Sequence, residues 1–170
     1  MSNKKNNLII FTALFIAIIA ITTSIIKIPL PTGGYIHIGD SVIYLASIIL
    51  PFPLGIVAGG FGGALADGMA GYYIYIIPTL IVKMINSACF YLIRSKSDKI
   101  ITAKSIIALL LSSIVTILGY YIVSICLYGV DGSLATIPGN TIQAMGSAVI
   151  FVILGIAFDK FKLNKMLTLK

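Results

Sequence analysis

Four long stretches of this chain carry no charge. Residues 6–26, 41–66, 105–130 and 132–158 hold 21, 26, 26 and 27 consecutive uncharged positions. A bilayer's hydrocarbon core is about 30 Å thick, and a helix needs about 20 mostly apolar residues to cross it. A water-soluble fold is excluded by area. With 59% hydrophobic residues and a mean hydropathy of +1.09, a 170-residue chain would leave much of its apolar surface outside any single core. The chain therefore reads as an all-α integral membrane bundle.

Breakers divide the long runs. Lys27 with Pro29 and Pro31 ends the first helix, and Pro51-Phe52-Pro53 cuts the second run into a turn that opens a new helix. Gly71 interrupts the third. The reading is one membrane domain over 1–170, with six transmembrane helices at about 8–26, 38–50, 54–70, 72–93, 105–128 and 138–158. Six crossings put both termini on one side. With that side cytoplasmic, the inner segments carry Lys4, Lys5, Arg94, Lys96, Lys99, Lys104, Lys160, Lys162, Lys165 and Lys170, and the outer loops carry only Lys27. This is the positive-inside bias. The net charge of +7 is thus a topology signal facing anionic lipid, not a nucleic-acid stripe, since no basic run is interleaved with aromatics. The 19 apolar residues of helix 1 exceed a signal-peptide core and no A-x-A site follows, so helix 1 is expected to be retained.

Several chemistries find no support. Cys89 and Cys126 sit inside predicted helices without a second ligand at metal spacing, so they read as packing residues and no metal or cofactor is expected. No G-x-x-x-x-G-K-[ST] loop exists to bind ATP. No internal repeat of the kind found in inverted-repeat transporters is visible. Asp67-Gly68-Met69-Ala70 is similar to the opening of the D-G-x-x-A-R motif of CDP-alcohol phosphotransferases, but its G-x-x-x-D-x-x-x-D continuation is missing, and without those carboxylates a divalent ion has no site.

Helix 3 is rich in glycine. Gly55, Gly59 and Gly63 recur every fourth residue with Gly60, Gly62, Ala64 and Ala66 beside them. Each glycine costs about 1 kcal/mol against alanine in a helix, so the pattern implies close approach of neighbouring helices. Helix 1 carries a smaller strip, Ala13 and Ala17 on one face, followed by Ala20.

Ionisable and amide groups inside a membrane are functional candidates by default. Asp40 falls near the outer end of helix 2, Asp67 about one turn from the outer end of helix 3, and Asn140 and Gln143 in the first turns of helix 6. Lys83 lies deeper in helix 4, with Asn86 below it. Nearly all gather in the outer half, which predicts a cup open to the outside. The plainest structural alternative is a buried Asp67–Lys83 ion pair that only fixes the fold. The loop K-I-P-L-P-T-G-G-Y-I-H-I-G over 27–39 is stiffened by prolines and hinged at Gly33-Gly34, and helix 2 is too short to span by itself. The loop is expected to dip inward and hang Tyr35 and His37 over the cup, with Asp40 at the lid.

In order and spacing these segments resemble the substrate-binding S components of energy-coupling factor (ECF) vitamin transporters. The resemblance rests on the helix with the alanine strip, Tyr35-Ile36-His37-Ile38-Gly39-Asp40, the glycine-rich helix ending in Ala66-Asp67, Pro78-Thr79-Leu80-Ile81-Val82-Lys83 and Pro138-Gly139-Asn140-Thr141-Ile142-Gln143. It runs from about residue 8 to 160 and is nearest the riboflavin-type branch, which includes proteins assigned to hydroxymethylpyrimidine or pyridoxine. It implies a non-enzymatic, six-helix protein of the bacterial plasma membrane that captures a water-soluble vitamin from outside. Its partners would be a transmembrane T subunit and two cytoplasmic ATPase subunits. Ala13 and Ala17 match the family's A-x-x-x-A docking motif. The expected ligand site is Tyr35, His37, Asp40, Asp67, Lys83, Asn140 and Gln143. The ligand would be hydroxymethylpyrimidine- or pyridoxine-like first and riboflavin second. With no Trp in the chain, stacking falls to Tyr35, Tyr44, Tyr72, Tyr73, Tyr75 or Tyr120. The rival reading is a self-sufficient secondary transporter coupled to an ion gradient through Asp67 and Lys83.

Overall fold

A computed structural model describes residues 2–30, 35–94, 97 and 99–162, with side chains from Lys5 onward. Residues 31–34, which include the Gly33-Gly34 hinge, and Lys96, Lys165 and Lys170 lie outside the described residues. The described residues form six helices: α1 (Ser2–Ile25), α2 (Asp40–Ile49), α3 (Leu54–Ala70), α4 (Ile76–Ile93), α5 (Ala103–Leu134) and α6 (Ile137–Lys160). Four of them, α1, α4 with the turn before it, α5 and α6, are long and apolar enough to cross a membrane, and α2 and α3 are shorter apolar helices.

One element departs from a purely helical chain. The loop between α1 and α2 holds a small antiparallel hairpin, β1 (Lys27–Pro29) and β2 (Tyr35–His37), with Lys27 opposite His37 and Pro29 opposite Tyr35. A proline is admissible there because a two-stranded ribbon leaves one edge of each strand unpaired.

The bundle is apolar outside and polar within. On α5, Ile107, Leu110, Ile114, Leu118 and Ile122 are exposed, while Ser105, Ser112, Thr116 and Ser124 on the opposite face are buried. On α6, Ile142, Met145, Val149, Ile153 and Ile156 form the exposed stripe, and Gln143, Ser147 and Phe151 face inward. Water would not tolerate such stripes over whole helices, whereas hydrocarbon does.

The glycines of α3 set the packing. A Cβ at Gly62 would stand 2.7 Å from Ile19 of α1, one at Gly55 3.0 Å from the Ala46 carbonyl and Ser47 Cα of α2, and one at Gly63 3.0 Å from Lys83 Cγ of α4. α3 is thus pressed on three sides. Its C-terminus closes with Gly71 in the left-handed region (φ 83°), where Tyr72 N donates to the Asp67 carbonyl and Gly71 N to that of Gly68, a Schellman arrangement. α5 departs from helical geometry at Gly129 (φ 73°), so its regular length ends at Tyr128.

The two halves of the interior differ. At the end away from the hairpin, Tyr44, Phe90 and Phe151 form an aromatic cluster, with Tyr44 and Phe90 stacked at 4.8 Å and Phe151 edge-on at 5.3–5.6 Å, surrounded by Leu45, Ile100 and Leu109. At that same end both Asp159 oxygens accept from Ile100 N and Ile101 N (2.7 and 3.0 Å), tying α6 to the start of α5. The buried ionisable side chains among the described residues, His37, Asp40, Asp67 and Lys83, collect toward the hairpin end.

Candidate functional site

A cavity opens at the hairpin end, where β2, the C-terminal part of α3, the start of α4, the late part of α5 and the first turns of α6 converge. Its empty space is about 470 Å³, part of it open to the outside, and it is lined by Leu30, Tyr35, His37, Asp67, Tyr75, Thr79, Tyr120, Ser124, Thr136, Asn140 and Gln143. Of the sequence-predicted site residues, Tyr35, His37, Asp67, Asn140 and Gln143 line it. Asp40 and Lys83 do not.

The roof is the hairpin. The Tyr35 ring lies 4.7 Å from Tyr72 and 5.5 Å from His37 (centroid distances), and its hydroxyl donates to Asp67 Oδ1 at 2.7 Å. Lys27 caps this stack from above: its Nζ is 5.7 Å from both tyrosine centroids and reaches the Ala70 carbonyl at 3.5 Å. Two glycines admit the roof. A Cβ at Gly39 would run into the Thr23 side chain, and one at Gly139 into Leu30.

His37 is buried. Its Nδ1 accepts from Gly39 N at 3.1 Å and its carbonyl accepts from Ser147 Oγ at 3.4 Å. Burial pushes its pKa down to about 4, so the imidazole is neutral at pH 7. With Nδ1 serving as acceptor, the proton sits on Nε2.

The carboxylates pair differently from the sequence reading. Asp40 was expected at the lid, and the simplest alternative paired Asp67 with Lys83. Instead, Lys83 Nζ lies 2.6 Å from Asp40 Oδ1, with the two side chains 1% and 0% exposed. The physical reason lies in the paths of two segments. The hairpin carries the chain inward before α2 begins, which sinks Asp40 beneath the roof. Gly63, lacking a side chain, lets the stem of Lys83 cross α3 and reach α2. Asp67 is instead held by Tyr35, and its Oδ2 is buried without a hydrogen-bond partner among the described residues.

The ion pair forms the floor. Gln143 joins it to the cavity by donating from Nε2 to Asp40 Oδ2 at 3.4 Å, and the Tyr120 ring stands 5.1 Å from Lys83 Nζ. The walls are cross-linked by hydroxyls: Thr79 with Tyr120 (3.0 Å) and Tyr75 with Tyr128 (2.8 Å). Below the floor, Asn86 bonds Thr116, and Ser47 bonds Ser87 at 2.7 Å. Among the described residues no group of His, Cys, Asp and Glu is arranged to hold a metal. Both cysteines are free thiols, with Cys126 exposed on α5.

Leu30, Thr79, Ser124 and Thr136 were not anticipated as lining residues, and hydroxyl side chains are too common in membrane helices to single out by sequence. Thr136 carried one usable signal, its place just before the Pro138-Gly139-Asn140 start of α6.

A lipid-facing bundle enclosing a polar, roofed cavity at one end defines a polytopic membrane protein built to hold a small solute. Comparison with known families specifies it further: the model of the ECF-type riboflavin transporter S component matches residues 3–160, and the chain belongs to that family. It is a family of transporter components and not of enzymes. A Pyrococcus woesei protein, described as an uncharacterized protein in gap 3'region, is 30% identical over 133 residues, which is 78% of this chain and 88% of that one. Among solved structures, one described as the S component of a bacterial ECF transporter superposes with a TM-score of 0.74 at 21% identity, over 92% of this chain and 98% of the other. At that identity the likeness speaks for the fold.

Proposed function

We propose that this protein is the substrate-capture subunit of an ECF-type importer in the cell membrane, taking up a small vitamin or vitamin precursor from outside. It spans six times with both termini cytoplasmic, a topology supported by the ten-to-one distribution of basic residues between inner segments and outer loops. The cavity binds the ligand through Tyr35, His37, Asp67, Asn140 and Gln143, with Asp40 and Lys83 holding the floor. Energy arrives through a T subunit and two ATPases, and α1 docks on the T subunit through Ala13 and Ala17, both exposed on the bundle surface.

The observation that carries this reading is the roofed polar cavity that ends at the Asp40–Lys83 floor, with the Tyr44–Phe90–Phe151 cluster beyond it. A channel or gradient-driven transporter needs polar lining that continues to the other side. Capture needs only one closed end.

The lining favours a hydroxymethylpyrimidine- or pyridoxine-type ligand. Leu30 is its one aliphatic residue, beside three tyrosines and seven polar side chains, which suits a small ring with polar substituents between aromatic faces. Riboflavin is the second reading, favoured by the description of the matching family model. The test is binding by the purified chain alone, without ATP or an ion gradient, together with the mass and ultraviolet spectrum of any copurifying small molecule. Asn140→Ala or Gln143→Ala should each weaken binding by about 1–3 kcal/mol, the cost of polar groups left unpaired. Normal binding by both variants would remove the α6 face from the site.

A further inference from the structure

The cavity's hydrogen-bonding polarity is fixed by groups outside it. Asp40 pairs with Lys83 and is therefore a carboxylate, which can only accept. The arm of Gln143 that faces it must be the NH₂, the only part of the amide that can donate. That leaves Gln143 Oε1 for the cavity it lines. Asp67 contributes a second acceptor: Oδ1 is occupied by the Tyr35 hydroxyl, the residue is 4% exposed, and Oδ2 is buried on the cavity wall without a partner among the described residues. His37 offers the opposite polarity, an Nε2–H donor, because its Nδ1 is taken by Gly39 N.

The charges are equally one-sided. Lys83 is committed to Asp40 below the floor, and Lys27 lies beyond the Tyr35 ring, on the Ala70 carbonyl and the two tyrosine faces. Neither lines the cavity. Asp67 is the one acidic residue that lines the cavity among those described, and no Lys or Arg lines it. A buried carboxylate oxygen without a donor is costly to maintain, and a ligand that supplies the donor relieves that cost. A ligand bringing its own anion would bury that charge beside an acidic side chain, with no Lys or Arg in the lining to compensate it.

Resting on the capture function proposed above, we infer that this cavity selects neutral or cationic nitrogen heterocycles that present donors to Asp67 and Gln143 and an acceptor to His37, and rejects their carboxylated or phosphorylated derivatives. Asp67 is the residue that reads the ligand's charge. Lys83 and Asp40 are positioning residues that act through Gln143.

Isothermal titration of the purified, detergent-solubilised full chain tests this with five probes. They are 4-amino-5-hydroxymethyl-2-methylpyrimidine and its phosphate ester, pyridoxine and 4-pyridoxic acid, and riboflavin. In the wild type, the better-bound neutral heterocycle should exceed its anionic counterpart by at least about 100-fold. In Asp67→Asn, its affinity should fall by roughly 10- to 100-fold, the range expected when a charged partner is lost, and the neutral-to-anionic ratio should shrink. Anionic forms binding within tenfold of the neutral ones, or unchanged affinities in Asp67→Asn, would overturn the inference. Tight riboflavin binding indifferent to Asp67→Asn would overturn it too while leaving the capture function standing. Binding of none of the five would sink both. If Asp67→Asn does not fold, the wild-type ratios decide alone.

Discussion

Replacing Lys83 by Met keeps the length of the side chain, removes its charge and leaves the fully buried Asp40 carboxylate without the ammonium now 2.6 Å away. Breaking a buried pair from one side costs about 3–5 kcal/mol, because the remaining charge is uncompensated. Asp40→Leu does the same to the ammonium and also strands Gln143 Nε2. In the double variant both charges are gone, and the residual cost is that of the Gln143 donor, about 1–3 kcal/mol. The double variant should therefore be more stable than either single one. On the scale of roughly 2–4 °C per kcal/mol for a chain of this size, Lys83→Met should lower the apparent melting temperature by about 6–20 °C. With no tryptophan in the chain, the readout is the monodisperse fraction of detergent-solubilised, fluorescently tagged protein after heating. Single-variant shifts under about 2 °C, or a double-variant shift equal to the sum of the singles, would refute the claim that these side chains act as one buried unit.

His37 should contribute no pH dependence to ligand affinity between pH 8 and 5, because burial holds it neutral with a pKa of about 4 and it gains a proton only as pH approaches that value. Apparent stability should decline over a wider window, from about 6.5 downward, since the unfolded imidazole is protonated first; a binding midpoint near 6.5 in a pH titration would contradict the buried neutral imidazole. Enlarging Ala13 and Ala17 together to Leu should leave ligand affinity unchanged and abolish uptake and copurification of partner subunits, because the strip is exposed and remote from the cavity; loss of binding instead would make it an internal surface. In a background with Cys89 and Cys126 replaced by Ala, a cysteine at the exposed position Asp131 should react with an impermeant thiol reagent on intact cells and one at Lys99 should not. Labelling at 99 would overturn the proposed topology.

The parts of the fold legible in the sequence are those set by local rules. Charge-free runs gave helices because hydrocarbon demands internally satisfied backbone, and the Pro51-Phe52-Pro53 and Gly71 breaks correspond to the gap between α2 and α3 and the left-handed cap of α3. The gathering of polar groups at one end was legible too, since depth along a helix follows from residue count. Partner choice was not. Whether Lys83 meets Asp67 or Asp40 depends on the rotation of α3 and α4 about their axes and on the inward path of the hairpin, and neither is written in the spacing of residues along one helix. The hairpin itself escaped notice because three-residue strands beside prolines carry almost no periodic signal.

The glycines of α3 connect these levels. Because Gly63 has no side chain, α4 comes close enough for Lys83 to cross toward α2, and because Gly55 and Gly59 are bare, α2 lies near enough for Asp40 to receive it. The pair so formed turns the amide of Gln143, and the turned amide presents an acceptor to the cavity. A residue such as Val at Gly63 would thus act at a distance, pushing against Lys83 Cγ and Thr79 Cγ2, each 3.0 Å from the added Cβ. Thr79 lines the cavity directly and Lys83 orders it through Asp40. The composition of α3, which looks like packing alone, is therefore also a condition for the polarity of the site.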